Sequence, residues 1–166
     1  MINSKNYKDK ETAEYFVNTY SDKILRICIS YSLTKEDAFD ICQNIYIKLM
    51  NKKIFFNDEN HEKSYIIKMA INECKDILKS NNYKNKLNII DYTNLKTNTE
   101  NYEYKETIEI IKNLPIKYRE AIYFCYIEGL SSEETSKIIG VSASAIRKRL
   151  SRAKEMLKNN MEVQYE

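Results

Sequence analysis

The two glycines of this chain, Gly129 and Gly140, bracket one short helical pattern. Each stands where a helix is expected to stop, because glycine has no Cβ to obstruct the positive φ that such a stop favours. Between them, Ser131 and Glu134 have the spacing of a capping box, which marks a helix start. Ser142 can cap a second helix directly after Gly140. The segment therefore predicts two helices joined by a tight turn, a helix-turn-helix.

The second helix of this motif is basic. The chain contains 27 lysines and arginines, and three of its five arginines, Arg147, Arg149 and Arg152, fall in this helix. The planar guanidinium can pair with both acceptors of a guanine or hold a phosphate, which lysine does less specifically. A helix that is only solvated does not need arginine in place of lysine. The pattern therefore favours a helix that enters the major groove of duplex DNA.

Helical periodicity assigns sides to this basic helix. Ile146 and Leu150 are four residues apart and are expected to face the core. Arg149 lies at the flank, where it can contact phosphate or pair with an acidic neighbour. The predicted DNA-contacting residues on the outer face are Ser144, Arg147, Lys148, Ser151 and Arg152.

Composition and pattern predict an all-α protein. Of the 166 residues, 43% are apolar and one is proline, which suits helices with buried faces better than a β-sandwich with many turns. Helical periodicity predicts a three-helix bundle in residues 1–80 and the helix-turn-helix domain in 105–166. Residues 81–104 are rich in asparagine, lysine and threonine, so we expect a flexible linker between the two small domains.

Four cysteines, Cys28, Cys42, Cys74 and Cys125, lie inside apolar helical patterns without a CxxC pair. We therefore expect buried free thiols, with no disulfide framework, metal site or cofactor. The polar N-terminus does not resemble a signal peptide, and no apolar run reaches the length of a membrane span. These features predict a cytoplasmic protein without membrane insertion.

Two further stretches carry recognisable patterns. Asp37–Tyr46 follows a DAxDxxQ pattern, in which Asp37, Asp40 and Gln43 share one helix side. Tyr65–Asp76 is similar to a WLyrIArNxxxD pattern, with tyrosine where tryptophan is usual.

With the segment Leu114–Ala153, which matches LPxxxR followed by a TVxxRLxRA-like end, these stretches resemble the sigma-70 family. The resemblance covers nearly the whole chain and points to the extracytoplasmic-function (ECF) type, loosely near the clostridial toxin-gene sigma factors. It implies a protein without catalytic activity that binds core RNA polymerase and directs it to promoter DNA.

The resemblance also implies site residues and partners. Asp37, Asp40, Gln43 and Asn44 would dock on the β′ clamp helices of core polymerase, and the C-terminal domain would meet the β flap and the −35 element. Many members of the family are held inactive by an anti-sigma factor, which is a further candidate partner. The residues implied to open and read the −10 element are Phe56, Asn57, Asn60, Tyr65, Lys68, Asn72, Lys75 and Lys79.

Several alternatives stay open at this point. A helix-turn-helix also suits a stand-alone regulator that binds an operator as a dimer. A nucleic-acid enzyme with Asp37 and Asp40 as metal ligands would need a third converging carboxylate, which the pattern does not supply. The acidic helix side would equally suit a solvated surface, Phe55 and Phe56 would suit core plugs, and His61 is most simply a loop residue.

Overall fold

The structure, a computed structural model, describes residues 5–52, 54–80 and 111–164. The chain divides into two units, Met1–Ile89 and Ile90–Glu166. In the described ranges the regular elements are six α-helices and one π-helical turn. The prediction of an all-α chain with two small helical domains is confirmed. The predicted linker, residues 81–104, lies outside the described residues, so its boundaries stay a prediction.

Unit one contains three helices: α1 (Lys10–Ser30), α2 (Lys35–Asn51) and α3 (Glu59–Lys79). Their number agrees with the three-helix bundle that the periodicity predicted. The third helix begins at Glu59, because the residue before it is an aspartate that caps it.

Side-chain caps fix where these helices begin. The carboxylate of Asp9 accepts from the backbone N–H of Thr12 at 2.8 Å, and that of Asp58 accepts from His61 at 2.7 Å. Between them, the hydroxyl of Thr34 accepts from the N–H of Asp37 at 3.1 Å. Each cap satisfies a donor that the first turn of a helix leaves without an intrahelical partner.

One apolar stripe from each helix forms the core of unit one, as the periodicity predicted. Each fully buried aliphatic or aromatic side chain contributes about 1.5–3 kcal/mol relative to exposure. The largest buried side chains of α1 to α3 are Phe16, Tyr20, Ile24, Ile27, Ile41, Ile45, Leu49, Ile66 and Ile71.

The free thiols occupy two environments. Cys28 and Cys74 are buried in the core of unit one, with their sulfur atoms 3.7 Å apart. Their hydrogen bond, together with burial, raises the pKa of Cys74. Cys42 and Cys125 are only half-buried, because each lies at the edge of its apolar stripe.

The N-terminal segment is fastened to α3 by one buried carboxylate. Glu62 is 1% exposed, pairs with the ammonium group of Lys5 and accepts a hydrogen bond from the hydroxyl of Tyr7. Burial, and then this hydrogen bond, raise the pKa of Tyr7. The backbone carbonyl of Tyr7 accepts in turn from the hydroxyl of Tyr46 at 2.6 Å. These bonds tie the segment to both α2 and α3.

Unit two contains α4 (Ile116–Ile122), a π-helical turn (Tyr123–Ile127), α5 (Ser132–Ile139) and α6 (Ala143–Gln164). Pro115 stands directly before α4, where its missing N–H costs nothing. The apolar cluster that packs α4 on α6 is formed by Leu114, Tyr118, Ile122 and Ala153, with Ile111, Leu150, Met156 and Leu157 partly buried against it.

The π-helical turn changes which residues are buried. The N–H of Glu128 bonds the carbonyl of Tyr123, five residues back, at 3.0 Å. Phe124 stays in the core, whereas Ile127 is exposed together with Tyr126. The wider turn shifts the phase of the helix, so an α-helical period misplaces its last residues.

We expect Glu62→Ala to destabilise the protein by about 1–3 kcal/mol, because the buried hydroxyl of Tyr7 loses its acceptor. Asp22→Ala is the matched control, since Asp22 is exposed in the middle of α1 and its loss is expected to cost within about 0.5 kcal/mol. Urea unfolding followed by circular dichroism measures both. Equal stability of the two variants would contradict a fastening role for Glu62.

Candidate nucleic-acid interface

The turn between α5 and α6 has the geometry that its glycines predicted. Gly140 ends α5 in the left-handed region at φ 83°, and Gly129 precedes the motif at φ 69°. The hydroxyl of Ser131 accepts from the N–H of Glu134 at 3.1 Å, and the Glu134 carboxylate accepts from the N–H of Ser131 at 2.8 Å. Ser142 then caps α6 by accepting from the N–H of Ala145 at 3.1 Å. The segment is a helix-turn-helix in which both helix starts are fixed by side chains.

The sides of α6 are also those that the period predicted. Ile146 is completely buried and Leu150 is half-buried, so the opposite side of the helix reaches solvent. The structure brings the predicted −35 residues together on that exposed side: Ser144, Arg147, Lys148, Ser151 and Arg152.

Two of the three arginines of α6 are tied to α4. The guanidinium of Arg149 donates to the buried carboxylate of Glu120 at 3.2 Å, so of its two sequence-based interpretations the acidic neighbour is the one observed. A hydrogen bond with Arg152 lowers the pKa of Tyr118. Arg149 is thus committed to packing inside unit two, whereas Arg152 remains exposed beside its tyrosine partner.

Arg147 has a different partner, on the first helix of the motif. Its Nη1 atom donates to Oε1 of Glu133 at 2.7 Å, and both side chains remain more than half exposed. This hydrogen bond lowers the pKa of Glu133, so the carboxylate is ionised at neutral pH. The pair joins α5 to α6 at the surface of the helix-turn-helix.

The acidic side of α2 separates into a capping residue and an exposed group. Asp37 is half-buried, and its carboxylate accepts from the N–H of Thr34 at 3.0 Å and from the Thr34 hydroxyl at 2.8 Å. The three-residue spacing of Thr34 and Asp37 is the sequence signal of this capping box. Asp40, Gln43 and Asn44 are exposed.

Two apolar residues that sequence reasoning missed lie beside this exposed group. Phe39 is 67% exposed and Ile47 is 52% exposed. With Gln43 they repeat every four residues, which places them along one side of α2. The signal was present in the sequence, since neither residue falls on the buried stripe of Ala38, Ile41, Ile45 and Leu49. We call Phe39, Asp40, Gln43, Asn44 and Ile47 the α2 surface.

The loop before α3 has its two aromatic residues in opposite environments. Phe56 is 2% exposed, and its ring lies 5.6 Å from those of His61 and Tyr65, so it is a core residue in this structure. Phe55 is 57% exposed. A pair of adjacent phenylalanines in a loop has no period that could reveal which of them points inward. The ring available for stacking is therefore that of Phe55.

The remaining predicted −10 residues lie around this loop and along α3. Asn57 and Asn60 are exposed, and the N–H of Asn57 donates to Nδ1 of His61 at 3.2 Å. Tyr65 is half-buried against Phe56. The polar residues of α3 recur every three or four positions and form one side of the helix: Lys68, Asn72, Lys75 and Lys79, of which Lys75 is half-buried and the others are exposed.

The described ranges also lack two other kinds of site. No three side chains among the histidines, cysteines, aspartates and glutamates of residues 5–52, 54–80 and 111–164 form a group that could hold a metal ion. Within the same part of the chain, no helix combines the length and the apolar character needed to span a bilayer.

Comparison with known proteins gives matches at the level of family and fold. Residues 104–157 match the family model for sigma-70, region 4. The ECF RNA polymerase sigma-E factor of Haemophilus influenzae is 24% identical over 93% of this chain and 89% of its own length. The RNA polymerase sigma factor SigZ of Bacillus subtilis is 28% identical over 83% of this chain and 81% of its own length.

A solved structure extends the similarity to the fold. The sigma factor RpoE of Bartonella quintana, solved in complex with the anti-sigma factor NepR, superimposes with a TM-score of 0.72 at 19% identity. The match covers 93% of this chain and 99% of that one. The helical architecture of the two units is therefore that of known sigma factors.

Proposed function

We propose that this chain, which belongs to the sigma-70 family and to its extracytoplasmic-function type, binds core RNA polymerase and directs it to promoters with a −35 and a −10 element. The observation that carries this proposal is the exposed arginine side of α6, inside the segment that matches sigma-70 region 4. Such a protein works in the cytoplasm beside the polymerase and contributes no catalytic step of its own. A stand-alone dimeric regulator is not favoured, since the similarity to sigma factors extends over both units.

Unit two is proposed to read duplex −35 DNA with α6 in the major groove. Base contacts in this motif come from the N-terminal part of the second helix, where Ser144, Arg147 and Lys148 are exposed. Ser151 and Arg152 lie one turn further along. The bond between Arg149 and Glu120 holds α6 against α4, so it supports the orientation of the reading side.

We expect Arg147→Ala to weaken binding of −35 duplex by about 1–3 kcal/mol if the guanidinium pairs with both acceptors of a guanine. Arg152→Ala is expected to weaken this binding as much only if the hydrogen bond with Tyr118 leaves the guanidinium of Arg152 free to pair with a base. The loss should concentrate on the promoter sequence, because a contact to phosphate alone weakens every sequence equally. Holoenzyme binding to promoter and scrambled duplexes distinguishes the two, with Lys158→Ala, exposed near the end of α6, as the control. Unchanged selectivity in both arginine variants would contradict the proposed reading side.

The α2 surface is proposed as the docking site for the β′ clamp helices of core polymerase. Exposed apolar residues with polar neighbours are typical of a protein interface, and Phe39 and Ile47 supply the apolar part. Asp40 supplies a negative charge beside them. Asp37 has a second duty, since its carboxylate caps α2 and thereby fixes the start of the surface.

We expect Asp40→Ala to weaken association with core polymerase by about 1 kcal/mol without unfolding the protein, because exposed charges contribute about that much. Asp22→Ala on α1 removes the same charge elsewhere and is expected to leave association unchanged. Co-purification with core polymerase and run-off transcription measure the effect. The proposed function itself would be contradicted by a wild-type chain that neither binds core polymerase nor supports transcripts.

The loop before α3 and the exposed side of α3 are proposed to hold the single-stranded −10 element. Bases that leave the duplex stack on aromatic rings, and exposed amides can bond their edges. Phe55 and Asn57 of the loop, with Asn60 in the first turn of α3, offer a ring and two amides. The lysines of α3 are proposed to contact the phosphate backbone of the same strand. Phe56 and Tyr65 pack on each other and anchor the loop in the core.

We expect Phe55→Ala to weaken binding of a single-stranded −10 oligonucleotide by the holoenzyme by about 1–3 kcal/mol, the usual contribution of one stacked base. Phe55→Tyr keeps the ring and should restore binding. Val17→Ala removes an equally exposed apolar side chain from α1 and serves as the control. If Phe55→Ala bound the oligonucleotide as tightly as the wild type, the stacking role would be wrong.

The two units are proposed to act as residues 1–80 and 105–166, joined by the linker 81–104. Each reader has a small interface, so attachment of both to one polymerase makes the second contact effectively intramolecular. We also propose an anti-sigma factor as a partner. This is supported by two solved proteins of similar fold, the sigma factor RpoE with NepR and CnrH with the cytosolic domain of CnrY.

A further inference from the structure

The exposed guanidinium of Arg147, which is proposed to read a base, is paired with a carboxylate before any DNA binds. Glu133 lies in the first turn of α5 and Arg147 in the second turn of α6, and they meet across the turn at 2.7 Å. The neighbouring Glu134, not Glu133, forms the capping box with Ser131. The carboxylate of Glu133 is therefore not needed to cap α5.

A carboxylate at this position opposes binding to DNA in general. The first helix of a helix-turn-helix crosses the phosphate backbone, and an ionised side chain there repels phosphates. Glu133 also neutralises the cation that would otherwise contact phosphate on any sequence. The repulsion weakens binding to every duplex, whereas the neutralisation of Arg147 weakens binding mainly to duplexes that offer this side chain nothing better than a phosphate.

The same carboxylate favours one specific arrangement of Arg147. The guanidinium has five N–H donors, and the bond to Glu133 uses a donor on Nη1. The other donors remain available while the rotation of the long side chain is restricted. A guanidinium held in this way loses less conformational entropy when a base edge offers two acceptors in the matching orientation.

We propose that Glu133 is a positioning residue that sets −35 specificity through Arg147, an inference that rests on the proposed function. It penalises contacts of Arg147 with phosphate and supports contacts with a purine edge that presents two acceptors. Its removal therefore increases affinity for unrelated duplexes more than affinity for the −35 sequence.

The test uses the full chain in holoenzyme and begins with selection of preferred −35 duplexes from a randomised pool. Dissociation constants are then measured on the selected and a scrambled duplex across a salt series. For Glu133→Ala we expect the ratio of the two constants to fall about two- to fivefold, the range that an exposed ion pair supports. The slope of log affinity against log salt on scrambled DNA should steepen by about one ion, since Arg147 then contacts phosphate.

Three further variants separate the pair from general charge effects. Glu155→Ala removes an exposed carboxylate two turns further along α6 and should leave the ratio as in the wild type. Glu133→Asp keeps the charge but shortens the side chain, so its bond to Arg147 is weakened. The ratio of the two dissociation constants should then fall, whereas the salt slope on scrambled DNA should change less than in Glu133→Ala, because the negative charge remains. In an Arg147→Ala background, Glu133→Ala should no longer change the ratio, as a double-mutant cycle requires of a residue that acts through its partner.

The outcomes distinguish this inference from the function on which it rests. An unchanged ratio in Glu133→Ala, an equal fall in Glu155→Ala, or a fall that persists without Arg147 would overturn the role of Glu133 while leaving the proposed function intact. A wild-type holoenzyme that selects no −35 sequence would overturn both.

Discussion

The burial of one side of α6 determines which residues of this helix are exposed to solvent. Ile146 and Ala153 are completely buried, seven residues apart, and Ala153 belongs to the apolar cluster that packs α6 on α4. Because an α-helix repeats every 3.6 residues, this packing leaves Arg147, Lys148 and Ser151 no direction except outward. The bond between Arg149 and Glu120 reinforces the same orientation at the edge of the packed side. The side of α6 that we propose to read DNA is thus set by the packing of its opposite side.

Unit one follows the same rule with different chemistry. The buried stripe of α2 leaves Phe39, Gln43 and Ile47 exposed on a helix whose start is fixed by the pair Thr34 and Asp37. In α3 the buried stripe leaves a track of lysines and one asparagine. Two adjacent helices of a single bundle therefore present surfaces of different character, one mixed apolar and acidic and one basic. This difference suits the two partners that we propose, a protein and a nucleic acid.

Periodic features were predictable from the sequence, and single-residue features were not. The glycine stops, the capping box of Ser131 and Glu134 and the sides of α6 could be predicted because each depends on a fixed spacing along the chain. The orientation of Phe55 and Phe56 could not, since it depends on how Phe56 packs on His61 and Tyr65. The pair of Glu133 and Arg147 was likewise hidden, because the two residues are 14 positions apart and meet only once the turn has formed. The assignments of residues to DNA and polymerase remain predictions.

The exposure of Tyr126 and Ile127 depends on the number of residues in the π-helical turn Tyr123–Ile127 and not only on their type. The turn accommodates one residue more than an α-helix would between Tyr123 and Glu128. Deleting a single residue there would restore the α-helical phase and rotate the following side chains by about 100°. The side chains of Tyr126 and Ile127 would then point in directions changed by this angle, although neither residue had been altered. A change of one residue in the length of this turn therefore changes which side chains face solvent without changing their identity.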